Sequence, residues 1–208
     1  HSLMERLTSV YMHELDQLEE KNLLSISSGN YGVGEGGLGF TNELPDQETP
    51  DKPVHLEDHW GGSMAQIFSE VSPEMHEEFA LTYEKRLLNR FGLSYYGCCE
   101  PLDRKVDIVS RNIPNLRKIS MSPWVTPKRG VEAINGRFVY SAKPNPAFLA
   151  TKDHWDRKSA EKELRNILEV TEGKNVELIL KDVSTVCFEP HRVWEWCNMA
   201  MDLVREYE

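Results

Sequence analysis

The sequence predicts an α/β protein built around a parallel β-sheet. Short apolar stretches, among them Leu93–Tyr96 and Leu116–Ser120, alternate with longer stretches in which apolar residues recur at helical spacing. A helical stretch between two strands is the connection that parallel pairing requires. Polar and reactive residues also gather directly after the short stretches, whereas ordinary turn residues follow the helical ones. Together these observations favour parallel strands joined by helices in right-handed crossovers.

Composition limits the class of protein. The chain has 208 residues, of which 39% are hydrophobic and 28% charged, and this predicts a single domain over residues 1–208. The formal net charge of −10 disfavours nucleic acid as a partner, because phosphate contacts need clustered Lys and Arg. No apolar run approaches the roughly 18–20 residues of a membrane helix, so no membrane partner is expected. The cysteines lie in two distant pairs, which favours a reducing compartment, and we expect a cytoplasmic protein.

The first part of the chain combines two helical patterns with a long loop. Apolar residues recur at helical spacing from Leu3 to Lys21, and the following Leu23–Ser27 is predicted to be a short strand. Residues 28–62 form a Gly- and Pro-rich stretch with little periodicity, and loops of this length are usually functional or disordered. The next helix is predicted to begin at Ser72, a suitable N-cap, and to end before Gly92.

Four more strands, each followed by a helix, are predicted in the remainder. The strands are Leu93–Tyr96, Leu116–Ser120, Arg137–Ser141 and Val176–Leu180, and the helices are Leu102–Ser110, Pro127–Ile134, Arg157–Thr171 and His191–Tyr207. A closed eight-stranded barrel takes about 250 residues, so the predicted strands form either part of a barrel or a complete open sheet. The glycine run from Gly32 to Gly37 is similar to a dinucleotide-binding loop, but no helical pattern follows it. A lid or a substrate loop is therefore favoured there.

The residues that follow the predicted strands form the candidate site. In parallel α/β proteins the carboxyl ends of the strands meet at one crevice, and ligands bind there. Side chains far apart in the sequence should therefore share one rim. The predicted rim comprises Cys98, Cys99, Glu100, Trp124, Lys143, Asn145, Asp182 and Cys187.

The cysteines of this rim suggest a metal site. Zinc takes thiolate, imidazole and carboxylate ligands, and a catalytic zinc keeps one coordination position open. Cys98 or Cys99, together with Cys187, would give two ligands, and Glu100 or a histidine would give the third. The candidate histidines are His55, His59 and His191. The alternative is that these thiols are small buried hydrophobic groups, since the chain has no Cys-x-x-Cys pair.

The other rim residues have both a binding and a structural interpretation. Lys143, which lies beside a proline, is predicted to approach an anionic group of the substrate. Trp124 would stack on a planar ligand or pack against the protein, and Asp182 would orient a metal ligand or cap a turn. Cys197 belongs to an apolar helical stripe and is assigned to the core, and His76 is expected at the surface or close to the helix cap.

Three stretches resemble the uroporphyrinogen decarboxylase-like superfamily, which includes the zinc-dependent methylcobamide:coenzyme M methyltransferases. They are "AQIFSEVSPEMHEEFALTYEKRLLNRFGLSYYGCCEPLDRK", "IPNLRKISMSPW" and "KPNPAFLA". The resemblance covers the chain from about Trp60 to its end and is greatest to an uncharacterised branch similar in "GCCEPL" and "SPW". It implies a partial TIM (β/α)8-type barrel, with parallel strands alternating with helices, whose N-terminal strands are missing from this chain.

The resemblance also implies site residues. In the methyltransferases zinc is held by a His-x-Cys after one late strand and by a Cys after the last strand. These positions fall on Tyr96–Cys98 and on Cys187 in this chain. A tyrosine, Tyr96, stands where the family has histidine, so Cys99 or Glu100 would have to replace the imidazole. The expected metal ligands are Cys98, Cys99, Glu100 and Cys187, and the expected substrate-binding residues are Tyr96, Trp124, Lys143, Asn145 and Asp182.

The activity that the resemblance implies is corrinoid-linked methyl transfer. Zinc would activate the thiol of a small-molecule substrate, which accepts a methyl group from a methylated corrinoid carried by a partner protein. The alternative is a metal-free decarboxylase, a carboxy-lyase, that acts on an anionic, tetrapyrrole-like substrate bound by Lys143. A third expectation is a catalytically inert half-barrel whose unpaired strand edge leads to a homo-oligomer.

Overall fold

A computed structural model describes residues 1–26, 31–49 and 51–207. Its main sheet has five strands in the order β3-β4-β5-β6-β7, and every neighbouring pair is parallel. These strands are β3 (Trp60–Ser63), β4 (Leu93–Tyr96), β5 (Leu116–Met121), β6 (Val139–Ala142) and β7 (Val176–Leu178). A parallel sheet alternating with helices confirms the predicted α/β class. The carboxyl ends of all five strands consequently lie at one end of the sheet.

The helices follow the strands as the sequence predicts. They are α1 (Ser2–Glu20), α2 (Pro73–His76), α3 (Thr82–Leu88), α4 (Val106–Asn112), α5 (Pro127–Ile134), α6 (Arg157–Val170) and α7 (His191–Glu206). A π-helical segment, Glu77–Leu81, joins α2 to α3. The Ser72 hydroxyl accepts a hydrogen bond from the amide of Met75 and so caps α2. Asn135, in the left-handed conformation that favours asparagine, ends α5.

Two apolar clusters hold the helices to the sheet. The larger contains Tyr96, Ile119 and Tyr140 from the strands, together with residues of α4 and α5. The smaller lies between α6 and α7 and includes Leu164 and Trp196. Because successive strand residues point to opposite faces, these clusters leave the alternate residues of β4, β5 and β6 to the other face of the sheet.

A small hairpin covers that other face, which we call the inner face. Its strands, β1 (Gly32–Val33) and β2 (Gly37–Leu38), pair antiparallel. The carbonyl of Leu38 accepts a hydrogen bond of 2.6 Å from the amine of Lys118. At the tip of the hairpin, Gly34 has a positive φ of 54°, and a Cβ atom there would lie 2.2 Å from the ring of Tyr95. Only a glycine therefore lets the tip reach Tyr95.

The structure differs from the sequence prediction in the long loop region. Leu23–Ile26 has no regular structure, and Ser27, the last residue of that predicted strand, lies outside the described residues. The strand at this edge of the sheet is instead β3, whose first three residues belong to the predicted loop 28–62. Two adjacent glycines, Gly61 and Gly62, hide this strand from pattern reading, because glycine is depleted in strands.

The helix predicted at Leu102–Ser110 begins later, at Val106. Within residues 1–26, 31–49 and 51–207, no helix is both long enough and apolar enough to cross a membrane.

Candidate functional site

The inner face carries a buried lysine at the carboxyl end of β6. Lys143 directly follows β6 and points the same way as Ser141, two residues earlier. Its amine donates hydrogen bonds of 2.6 Å to the Tyr95 hydroxyl and 2.8 Å to the Ser141 hydroxyl. Only 3% of Lys143 is exposed. Burial lowers the pKa of Lys143 to about 8, although the charge of Glu177 acts in the opposite direction.

A second lysine approaches from the segment after β7. The amine of Lys181 lies 3.0 Å from the sulfur of Cys98 and 3.6 Å from the sulfur of Cys99. The sulfurs are 3.3 Å apart, and the Cys99 thiol donates a hydrogen bond of 3.1 Å to the carboxylate of Asp182. The parallel pairing of the strands thus brings together residues more than eighty positions apart.

This cluster of cations and thiols alters the protonation of its members. Burial raises the pKa of Cys99 to about 12, and the hydrogen bond to Asp182 acts in the same direction. Burial acts to lower the pKa of Lys181, but the hydrogen bond and the charge of Cys98 outweigh it and raise that pKa. Lys181 is therefore a permanent cation at neutral pH, whereas Cys99 stays a thiol.

Glu100 has a structural role that occupies both of its oxygens. One oxygen accepts a hydrogen bond of 3.1 Å from the amide of Ala65, and the other accepts one of 2.9 Å from the amide of Cys98. The side chain is completely buried. Glu100 consequently fastens the loop after β4 to the loop after β3.

Cys187 lies in a different environment from Cys98. Its thiol donates to the carbonyl of Ala150 at 3.4 Å, and its amide donates to the hydroxyl of Thr185. Cys187 has a positive φ of 52°, as do Asp182 at 58° and Phe188 at 61°. The structure therefore shows Cys187 in a bent segment beside the loop after β6, with hydrogen bonds that do not involve Cys98 or Cys99.

Two other predicted substrate-binding residues are Asn145, which caps a short helix, and Trp124, which is exposed to solvent. Asn145 accepts a hydrogen bond from the amide of Ala147 and so caps the short 3-10 helix Pro146–Leu149. Its own amide donates to the carboxylate of Glu163. Trp124 is 77% exposed and lies outside the buried clusters.

Tyr96 points away from the inner face, towards the helices. Its hydroxyl donates a hydrogen bond of 2.7 Å to Glu84 and lies 2.7 Å from Nε2 of His76. Since the phenol has one proton, Nε2 of His76 must be the donor to Tyr96. His76 is completely buried, so the predicted surface position is wrong, whereas the position close to the helix cap is correct, since α2 begins after Ser72 and ends at His76. The sequence indicates that His76 lies in a helix, but its burial depends on how α2 packs against β4, which is a long-range contact.

The predicted metal ligands have other hydrogen-bond partners in this arrangement. Both oxygens of Glu100 are already bonded to backbone amides, and the cation beside the thiols is the amine of Lys181. Across residues 1–26, 31–49 and 51–207, no group of three or more His, Cys, Asp or Glu side chains is placed to hold a metal ion.

Tyr95, Ser141 and Lys181 belong to the site, although none of them is among the predicted rim residues. Tyr95 and Tyr96 are adjacent in the sequence, and a strict period of two puts only one of them on the inner face. The apolar residues around β4 do not indicate which of the two tyrosines lies on the inner face. Ser141 could have been found from Lys143, because the two are two residues apart at the end of one strand. Lys181 could also have been found, because it directly follows the predicted strand Val176–Leu180.

The hairpin tip adds a carboxylate to the site. Glu35 lies between the glycines of the tip, and its carboxylate is 3.6 Å from the amine of Lys181. A Cβ atom at Gly36 would lie 2.9 Å from Ile179, so the tip rests directly on the segment after β7. The hairpin thus closes the inner face above Lys143 and Lys181.

Comparison with known proteins adds no further identification: no protein-family model, no curated protein and no solved structure matches the chain.

Proposed function

We propose that this chain is part of a metal-free carboxy-lyase that acts on an anionic substrate at the carboxyl ends of β4, β6 and β7. The observation that carries the proposal is the presence of two lysine amines, Lys143 and Lys181, at this end of the inner face. The Lys143 amine bonds to the hydroxyl of Tyr95 on β4, and the Lys181 amine lies 3.0 Å from the sulfur of Cys98, which directly follows β4, so both amines lie at the same strand end.

The charge and the burial of the site suit the loss of carbon dioxide. An anionic substrate needs a cation, and Lys181 remains charged at neutral pH. Ion pairing is stronger in a water-poor environment, and the hairpin covers this part of the inner face. The Glu35 carboxylate lies 3.6 Å from the amine of Lys181 and occupies the position that we propose for the anionic group of the substrate. A substrate carboxylate would replace Glu35 at this cation.

The order of the strands supports a barrel as the parent architecture. An open doubly wound sheet contains a point at which the strand order reverses. Here the order follows the chain without reversal from β3 to β7, as in successive strands of a (β/α)8 barrel. We therefore propose that the sheet is part of a TIM-type barrel, and the sequence resemblance described above favours the uroporphyrinogen decarboxylase-like kind.

The experiment that tests this function measures release of carbon dioxide in the presence of EDTA. The panel comprises 3-oxo acids, aromatic-ring acetates and polycarboxylates, and the full-chain protein is compared with Lys181→Met. A matched control is Lys162→Met, which removes an exposed lysine from α6. We expect release from at least one class, a loss of roughly tenfold or more in Lys181→Met, and no loss in the control. Failure to release carbon dioxide from any class, or loss of release with EDTA, would refute the proposal.

Zinc-dependent methyl transfer is the second candidate, and one observation favours it. The sulfurs of Cys98 and Cys99 lie 3.3 Å apart at the carboxyl end of β4, and thiolates are preferred zinc ligands. This function requires Lys181 to leave the thiols. One zinc per chain in purified protein, lost in Cys98→Ser and kept in Cys197→Ser, would support it. Metal-free protein that remains active would reject it.

A further inference from the structure

The contacts of Lys143 differ from those of the other buried lysines. Lys118 forms an ion pair of 2.8 Å with Glu177, and Lys105 donates to the carbonyl of Phe68 at 2.6 Å. Within the described parts of the chain, the hydrogen-bond partners of the Lys143 amine are only the hydroxyls of Tyr95 and Ser141. A carbonyl can only accept a hydrogen bond from an amine, whereas a hydroxyl can also donate one to the lone pair of a neutral amine. Lys143 is thus the buried lysine whose partners best suit a neutral amine.

The neutral amine is accessible to Lys143 near physiological pH. With its pKa lowered to about 8, roughly a tenth of Lys143 is unprotonated at pH 7. An ordinary lysine, with a pKa near 10.4, has a neutral fraction more than about a hundred times smaller. An unprotonated lysine in a desolvated site is a nucleophile towards carbonyl carbon.

Charged groups from several elements face this amine. They are Glu177 on β7, Lys181 after β7, Cys98 after β4 and Glu35 on the hairpin tip. The negative groups favour the ammonium and Lys181 favours the amine, while burial is the largest influence. A ligand that displaces Glu35 from the site would remove one negative charge and bring another.

The Tyr95 hydroxyl is placed to assist proton transfer. It lies 2.6 Å from the Lys143 amine and 3.0 Å from the Ser141 hydroxyl. Burial raises the pKa of Tyr95 to about 12, so the phenol keeps its proton and can donate it to an oxygen that forms beside the amine. Such a hydrogen-bonded hydroxyl is a suitable general acid for carbinolamine chemistry.

We propose that Lys143 forms a Schiff base with a 3-oxo carboxylate, whose carboxylate group is bound by Lys181. This inference rests on the proposed carboxy-lyase function and names its substrate class. The amine nitrogen attacks the ketone carbon, and the carbonyl oxygen takes a proton to give a carbinolamine. One proton on that oxygen comes from the amine nitrogen and a second is delivered through the Tyr95 hydroxyl. The oxygen then leaves as water, the nitrogen lone pair forms the C=N bond, and the nitrogen keeps its remaining proton, so the imine is protonated.

The protonated imine then accepts the electron pair of the bond to the carboxylate. That bond breaks, carbon dioxide leaves and an enamine forms. Proton transfer to the enamine carbon and hydrolysis of the imine return the free amine and release a ketone. The 3-oxo position is required, because only there does the breaking bond lie one carbon from the imine.

The test traps the imine with sodium cyanoborohydride. Full-chain protein is incubated with acetoacetate and the reductant at pH 7, and modified lysines are located by peptide mass mapping. We expect Lys143 to be modified roughly tenfold faster than the exposed Lys162, because the neutral fraction of Lys143 is larger. The rate should rise with pH and level off above about pH 8. 3-Hydroxybutyrate, which has the carboxylate but no ketone, should give no adduct.

Two variants keep the result decisive. Lys143→Arg retains the charge and should lose the selective adduct with an unchanged melting temperature. Gly34→Ala, which pushes the hairpin away from Tyr95, should accelerate trapping. If neither the original chain nor Gly34→Ala gives selective modification of Lys143, the Schiff base is refuted. Carbon dioxide release without this adduct would overturn the Schiff base but keep the carboxy-lyase. Formation of the adduct without release of carbon dioxide from any acid would overturn the carboxy-lyase but keep the Schiff base.

Discussion

The amine of Lys181 lies 3.0 Å from the sulfur of Cys98, although the two residues belong to strand ends that are not neighbours in the sheet. β5 and β6 separate β4 from β7 in the strand order. The contact therefore spans the carboxyl end of the sheet and brings a cation to the paired thiols. The charged groups around the two thiols should therefore govern how fast each cysteine is alkylated.

Cys99 should react slowly with iodoacetamide at pH 8. Its pKa of about 12 leaves few thiolates, and the thiolate is the reactive form. Asp182→Asn replaces the carboxylate that accepts a hydrogen bond from the Cys99 thiol with a neutral amide, so the pKa of Cys99 should fall and alkylation should become faster. Asparagine also tolerates the left-handed backbone of residue 182. The exposed Cys197 serves as an internal control with the same rate in both proteins, and mass mapping gives both rates. Equal labelling of Cys99 and Cys197 in the original chain would contradict the prediction.

Glu100→Gln should destabilise the fold. Glutamine keeps one acceptor oxygen but turns its amide nitrogen towards a backbone N–H, so one buried amide loses its partner. We expect a loss of roughly 1–3 kcal/mol in the free energy of unfolding, measured by urea denaturation. Glu132→Gln, at an exposed position of α5, is the matched control and should change little. A Glu100→Gln protein as stable as the control would show that the carboxylate is free for another role, such as metal binding.

Acid should destabilise the protein through His76. Burial lowers the pKa of His76 to about 4, whereas the unfolded chain titrates near 6.5. As pH falls from 6.5 to 4, the unfolded state therefore binds a proton that the folded state does not bind. The free energy of unfolding should fall by about 3 kcal/mol across this window and then level off.

The comparison with His76→Gln isolates this effect. Glu84, whose pKa is raised by burial, acts in the opposite direction, since its folded form takes up a proton first as pH falls. Glu84 is present in both proteins, so the difference between their stability curves reports His76. Parallel curves between pH 6.5 and 4 would be evidence against the buried neutral histidine.

Gly34→Ala should loosen the hairpin from the inner face. Its Cβ atom would lie 2.2 Å from the Tyr95 ring, and φ is 54°, so alanine clashes and is strained. Amide hydrogen exchange in residues 31–39 should become roughly tenfold faster or more. Gly32→Ala is the matched control, since nothing lies within 4 Å of a Cβ atom there. Equal exchange in the two variants would mean that the tip is not held by Tyr95.

Local signals made much of the architecture predictable. The helix predicted at Pro127–Ile134 has these same bounds, because proline at its first position and a left-handed asparagine after it are short-range features. Strand β3 escaped prediction, because its two glycines carry no side chains that could show alternation. Its place in the sheet comes from pairing with β4, which is a long-range contact.

The site was predictable in location but not in composition. Parallel pairing put Cys98, Lys143 and Asp182 near one end of the sheet, as the positions after the strands suggested. Which of them meet depends on side-chain direction and on the path of the segment after β7. Lys181 belongs to the site only because that segment turns towards Cys98, and nothing near it in the sequence indicates the turn.

The left-handed backbone at Asp182, Cys187 and Phe188 gives the segment after β7 a store of conformational energy. The left-handed region costs roughly 1–2 kcal/mol for residues such as Cys187 and Phe188, less for an aspartate, and the exposed Phe188 gains no compensating burial. A ligand that redirects the segment would relieve this strain, which offsets part of the cost of breaking the contacts of the segment. Cys187 would travel with the segment, which makes its location a sensitive reporter of an occupied site.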